Sequence, residues 1–192
     1  MKQYRRLSLV LCILMLLCAG CSKPVDPPFD ATAAAAPVAA FPLIGVAGLT
    51  LTPPSGFTAN EEGTGWYAPD YPSDGSCITV HTAATNPQFA SYTAEKVKLA
   101  LETSYKASLE ADITVTMDAF ELTQVDGFAA LRMQYHFTYR DIKMTCLQYL
   151  IDADFAYTVT CIQVAEAKWM TEFEAVCASL DFTWVPILDT AA

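Results

Sequence analysis

One segment constrains the fold of this 192-residue chain more than any other, the run from Phe128 to Tyr139. Its odd positions Ala129, Leu131, Met133, Tyr135, Phe137 and Tyr139 are apolar, and its even positions Arg132, Gln134, His136 and Thr138 are polar. Side chains alternate faces along a strand, so this period of two predicts an antiparallel strand with one face on a core and one in water. Asp126-Gly127 supplies a turn ahead of it. A turn centred between Arg140 and Asp141 would pair Tyr135 with Cys146 and Phe137 with Met144. A second, centred between Ala153 and Asp154, would pair Cys146 with Cys161 and Leu150 with Tyr157. In that register Tyr157, Val159 and Cys161 join Leu131, Met133 and Tyr135 on one face. A slip of one residue in either turn would reverse the assignment.

Shorter strands are expected upstream at Leu49-Thr50-Leu51, Trp66-Tyr67-Ala68 and Cys77–Thr82, separated by Pro- and Gly-rich turns. A helix is predicted over 93–111, with Thr93 as cap and Glu95 in its first turn. Val97, Leu101, Tyr105 and Leu109 recur every four residues as its apolar stripe, and Glu102 and Lys106 form an i,i+4 pair. A further strand is predicted over 113–122. A last helix is expected over 165–180, with a stripe of Trp169, Phe173, Val176 and Leu180 and with Cys177 beside it. A closing strand, Phe182–Val185, ends at Pro186. Strands and helices are segregated rather than alternating, which predicts an α+β domain built on a twisted antiparallel β-sheet flanked by two main helices.

The first 21 residues carry a different message. Lys2, Arg5 and Arg6 precede an apolar stretch from Leu7 to Leu17, and Cys18-Ala19-Gly20-Cys21 follows. The stretch is short for a bilayer span and is built like the core of a signal peptide. The segment resembles the leader of bacterial lipoproteins. That resemblance implies cleavage after Gly20, lipidation of Cys21 and anchoring to a cell membrane with the domain on the extracytoplasmic side. A diacylglyceryl group supplies two acyl chains, as stable anchoring requires. Residues 22–42 are rich in Pro and Ala and read as a semi-extended tether. The expected organisation is a signal peptide over 1–20, lipidated Cys21 and tether over 21–42, one α+β domain over 43–187 and a tail over 188–192. Losing Lys2, Arg5 and Arg6 with the leader takes the formal charge from −10 to −13. Such acidity argues against nucleic-acid binding and against electrostatic adhesion to anionic headgroups.

The order of elements, with its particular residues, resembles the Mog1/PsbP-like fold and its bacterial relatives. The matching pieces are residues 49–57, Trp66-Tyr67-Ala68-Pro69, the helix at 93–111, Val125-Asp126-Gly127-Phe128-Ala129-Ala130, the Tyr149-to-Tyr157 hairpin and the helix ending Ala178-Ser179-Leu180. They cover roughly residues 43–186. The resemblance implies a binding or assembly module. No catalytic residue and no partner is carried over with it.

The residues themselves offer little catalytic chemistry. His136 lies on the polar face of the long strand and His81 at the end of an earlier one, and each reads as a solvated side chain rather than a metal ligand. Asp152-Ala153-Asp154 and the Asp70/Asp74 loop read as turns, since neither has the Gly and distal Glu of a calcium loop. No Gly-x-Ser-x-Gly elbow occurs. No catalytic residue, cofactor or metal is expected. Arg132, His136 and Arg140 gather basic groups on one strand face and are a candidate ligand face. Four cysteines remain after the leader and Cys21, and an exported domain would oxidise them in one of three connectivities. With a four-residue loop from Asp152 to Phe155, the register sets Cys146 opposite Cys161 and leaves Cys77 for Cys177. Unbridged buried thiols are the alternative. The function expected is a non-catalytic binding or assembly module that meets an envelope protein or ligand. The alternatives are a hydrolase built from loops or a small-ligand carrier at the cell surface.

Overall fold

The computed structural model describes residues 45–84 and 87–186. The leader, Cys21, the tether over 22–42 and the tail over 188–192 lie outside the described residues. Nine strands and two helices follow in chain order: β1 (Gly45–Thr50), β2 (Thr58–Ala59), β3 (Gly65–Tyr67), β4 (Cys77–Ala83), α1 (Ala94–Leu109), β5 (Thr116–Val125), β6 (Phe128–Tyr139), β7 (Ile142–Asp152), β8 (Ala156–Val164), α2 (Met170–Ala178) and β9 (Asp181–Pro186). A short 3-10 turn, Phe89–Ser91, precedes α1.

Seven strands form one antiparallel sheet in the order β2-β3-β4-β8-β7-β6-β5, and β1 pairs with β9 as a separate two-stranded ladder. The architecture is the α+β class expected. One sheet face packs Leu101, Tyr105 and Leu109 of α1 against Leu131, Tyr135 and Phe137 of β6. The other packs Phe173, Val176 and Cys177 of α2, with Phe182 of β9, against Leu147, Ile151 and Val159. Both faces of β7 and β8 are therefore covered. Along β6 the second face keeps some of the exposure that alternation implied, at Arg132, Gln134 and His136, and more at Thr138.

Local chemistry explains most boundaries. The Thr93 Oγ1 accepts from Lys96 N at 3.3 Å and caps α1, while Glu110 ends it in the left-handed region at φ 52°. Glu102 turns to Lys98, 3.8 Å away, and accepts from Val115 N at 2.9 Å, whereas Lys106 pairs with Asp112. The expected Glu102–Lys106 pair thus gives way to bonds that anchor the loop leaving the helix. Ile113 and Val115 are buried in that loop, and β5 begins only at Thr116. Helix α2 starts five residues later than expected because Ala165 turns left-handed at φ 54°. Its first amides are met by the Gln163 side chain, which accepts from Trp169 N at 2.9 Å and Met170 N at 3.1 Å.

The two turns beside β7 decide which side chains share a face. Between β6 and β7 the link is two residues, Arg140 and Asp141, both left-handed at φ 50° and 63°. That primed turn matches strand twist and yields the expected pairs, Tyr135 with Cys146 and Phe137 with Met144. Between β7 and β8, Asp152 pairs with Ala156, so the loop is three residues, Ala153 to Phe155. The Asp154 carboxylate accepts from Phe155 N at 2.9 Å and from the Tyr157 hydroxyl at 3.1 Å, which fixes that loop. An odd loop moves every residue of β8 by one. Cys146 therefore pairs with Ile162 and Leu150 with Thr158, and Tyr157, Val159 and Cys161 turn to the α2 face.

Candidate functional site

The three basic residues of the candidate ligand face all sit on β6 or its turn, four residues apart. At about 3.3 Å per residue, Arg132 and Arg140 are about 26 Å apart along the strand. They do not converge on one ligand. Each is instead engaged by a neighbour. The Arg132 guanidinium donates to Glu121 of β5 at 2.7 Å and to Glu174 of α2 at 2.6 Å, joining three elements. Burial works against its charge, but the bonds to Glu174 and Glu121 outweigh that and leave its pKa raised. His136 Nδ1 lies 2.8 Å from the Asp118 carboxylate. Asp118 reaches it because β5 carries a bulge between Met117 and Ala119, and the extra residue is turned toward β6. Arg140 stacks on the neighbouring Tyr139 ring, 5.0 Å from its centroid. It also lines a shallow concavity of about 240 Å³ with Thr138 and the residues leaving α1, Leu109 to Ile113.

His81 belongs to the opposite face. It pairs with Thr158 in the β4–β8 ladder, in the row that continues to Leu150 and Leu131 on the α1 side. His81 and His136 are thus separated by the sheet. Among the described residues no group of three His, Cys, Asp or Glu side chains could hold a metal ion. Burial lowers the His81 pKa, and its Nε2 is enclosed without a hydrogen-bond partner. The acidic turns are structural. Asp74 accepts from Trp169 Nε1 at 2.7 Å and from Ser76 N at 2.9 Å, and its pKa is lowered because these bonds outweigh burial. Burial, and then the charge of Asp154, pushes Tyr157 up to about 12.

The cysteine pairings expected from sequence are overturned. Cys77, Cys146, Cys161 and Cys177 are all buried and none is bridged to another. Cys146 and Cys161 lie on opposite sheet faces because of the three-residue loop. Cys77 packs on the α1 side and Cys177 on the α2 side, so that pair is also divided by the sheet. Cys146 has different company. Tyr105 and Tyr135 hydroxyls lie 3.0 Å apart, and Tyr135 donates to Gln148 Oε1 at 3.2 Å. Burial pushes the Cys146 thiol up to about 12 despite its hydrogen bonds to the two tyrosines. Burial first, and then Tyr105, raises the Tyr135 pKa well above its ordinary value. The signal that could have revealed this chain was Gln148, a polar residue at an inward position of β7.

No protein-family profile matches the chain, and no curated protein does. Similarity is found among solved structures. Cyanobacterial PsbP (CyanoP) from Synechocystis is 14% identical, covering 77% of this chain and 100% of that one, with a TM-score of 0.51. LpqN of Mycobacterium tuberculosis, described as involved in cell envelope biogenesis, is 12% identical over 74% of this chain and 86% of that one, with a TM-score of 0.47. The fold is accordingly PsbP-like, a large antiparallel sheet with two helices. The likeness is one of fold.

Proposed function

We propose that the chain is a lipid-anchored module that acts on the extracytoplasmic side of a cell membrane, binding an envelope protein or ligand without catalysing a reaction. The observation that carries this reading is the apolar leader closing on Cys18-Ala19-Gly20-Cys21 ahead of a Pro- and Ala-rich tether. A domain hung in this way is held by acyl chains, because its acidic surface is repelled by anionic headgroups. The described domain supports the reading through its use of charge. The strand-borne ionisable groups hold elements together: Arg132 binds Glu121 and Glu174, and Asp118 binds His136. The concavity beside Arg140, at about 240 Å³, is smaller than the roughly 300–1,000 Å³ of a ligand pocket. A partner would then be met through loops and sheet edges.

The test is metabolic labelling with palmitate, followed by membrane fractionation. The natural chain should take up label and remain with membranes. Cys21→Ala should lose the label and leave the membrane fraction, and an unlabelled natural chain would overturn the proposal. Crosslinking in intact cells would then recover a specific envelope component.

A further inference from the structure

The seven-stranded sheet ends differently on its two sides. At one end β2 is two residues long, a short edge of the kind that resists pairing with another chain. At the other, β5 runs for ten residues and pairs only with β6 among the described residues. It contains no Lys and no Pro, the residues that most often guard an edge. Its bulge between Met117 and Ala119 interrupts the first part of the strand and leaves 119–125 regular. Glu121, Leu122, Thr123 and Gln124 are exposed in succession, so both faces of the strand are open there. Leu122 is 64% exposed.

The turn into β6 fixes which backbone groups point outward. Asp126 and Gly127 are both left-handed, at φ 48° and 84°, in a two-residue loop that closes on the Val125–Phe128 pair. That closing pair exchanges hydrogen bonds, and such pairs alternate along an antiparallel ladder. Thr123 and Glu121 therefore bond to Ala130 and Arg132, while Gln124, Leu122 and Phe120 turn their N–H and C=O groups to the open edge. Side chains sort in the same way. Phe120 and Leu122 lie on the α1 face, opposite Met133 and Leu131. Glu121 lies on the α2 face, where the single Arg132 guanidinium answers both Glu121 and Glu174, 54% and 46% exposed. One negative charge is in excess beside the edge.

We propose that β5 is a docking edge that takes an extended segment of a partner protein as an eighth strand, the segment alternating apolar with basic side chains. The inference rests on the binding reading above, to which it adds a surface and a partner chemistry. The main chain of the segment bonds to the outward groups of Phe120, Leu122 and Gln124. Its apolar side chains extend the row of Phe120 and Leu122, and a Lys or Arg beside Glu121 supplies the missing cation. A net charge of −10 disfavours a second copy of this chain in that place.

The test is fluorescence anisotropy with the full chain in detergent and a labelled peptide of alternating Lys and Val, matched in length to 119–125. A peptide of the same composition, with its Lys and Val in separate blocks, controls for plain charge attraction. The alternating peptide should bind saturably and about tenfold more tightly than the block peptide. It should slow hydrogen exchange at the Phe120, Leu122 and Gln124 amides. Gln124→Pro removes an outward N–H without touching the β6 ladder, and should weaken binding about tenfold with the far-UV spectrum unchanged. Leu122→Ser, which keeps the main chain intact, should weaken it several-fold. Equal binding of the two peptides, or protection elsewhere on the sheet, would overturn the proposal. Undiminished binding by Leu122→Ser would do the same, and decides the matter if Gln124→Pro does not fold. Concentration-dependent dimers abolished by Gln124→Pro would give the edge to a second copy and overturn the partner. Palmitate labelling is read independently: its failure removes the address and leaves this edge, whereas a peptide that does not bind removes the edge and leaves the address.

Discussion

The two faces of the central sheet meet the same problem, polar side chains inside a packed layer, in opposite ways. Beneath α1 the polar groups are neutral and central: Tyr105, Tyr135 and Gln148 hydrogen-bond in a buried chain. Beneath α2 the interior is apolar and the ions are at the margin, where Arg132 reaches Glu121 and Glu174, both about half exposed. The difference follows from desolvation. A hydroxyl or amide can be buried at modest cost once bonded, whereas an ion loses far more and is kept where water still reaches it.

That contrast can be broken most forcefully through the apolar cores. Phe137→Ala on the α1 face and Phe173→Ala on the α2 face should each cost about 3–5 kcal/mol in urea unfolding, because both rings are fully buried. Equal losses in one transition would mark the two layers as a single cooperative unit. Two separate transitions would divide them. Next in size is Gln148→Leu, which strips the Tyr135 hydroxyl of an acceptor and should cost about 1–3 kcal/mol. Adding Tyr135→Phe should recover part of that loss, and a purely additive pair would contradict the buried chain.

At the margin of the other face, Arg132→Met should cost about 1 kcal/mol, since its carboxylate partners are exposed enough for water to screen them. The loss should shrink in high salt, unlike that of Gln148→Leu. The smallest effect concerns pH. Burial lowers the His81 pKa below its ordinary 6.5, so the unfolded chain binds a proton that the folded one resists. Stability from this group is present above pH 6.5 and is lost as pH falls from there toward the folded pKa. His81→Gln should flatten that part of the stability–pH curve, and an unchanged slope would assign it to other groups.

Much of the fold was legible in local pattern. The alternation in Phe128–Tyr139 defined β6 at both ends, and Thr93 marked the start of α1 through its cap. The stripe of Phe173, Val176 and Leu180 located the buried side of α2, although Gln163 and Ala165 moved its start. The candidate ligand face was legible only as composition. Arg132 and His136 do share a face, but Glu174 is 42 residues from Arg132, and Asp118 meets His136 only through a bulge. Neither partner has a periodic signature.

The sequence alone determined the order of the elements apart from the two-residue β2, the α+β class and the faces of the strands whose turns announce their length. The leader and Cys21 belong to the same level, as a proposal read from residues. Only the tertiary structure decided which sheet face each thiol takes and which charges pair. The physical reason is parity: side chains alternate with a period of two, so one residue in the Ala153–Phe155 loop selects the face of every residue in β8. That loop is closed by Asp154, whose bonds to Phe155 and Tyr157 leave no trace in hydrophobic periodicity.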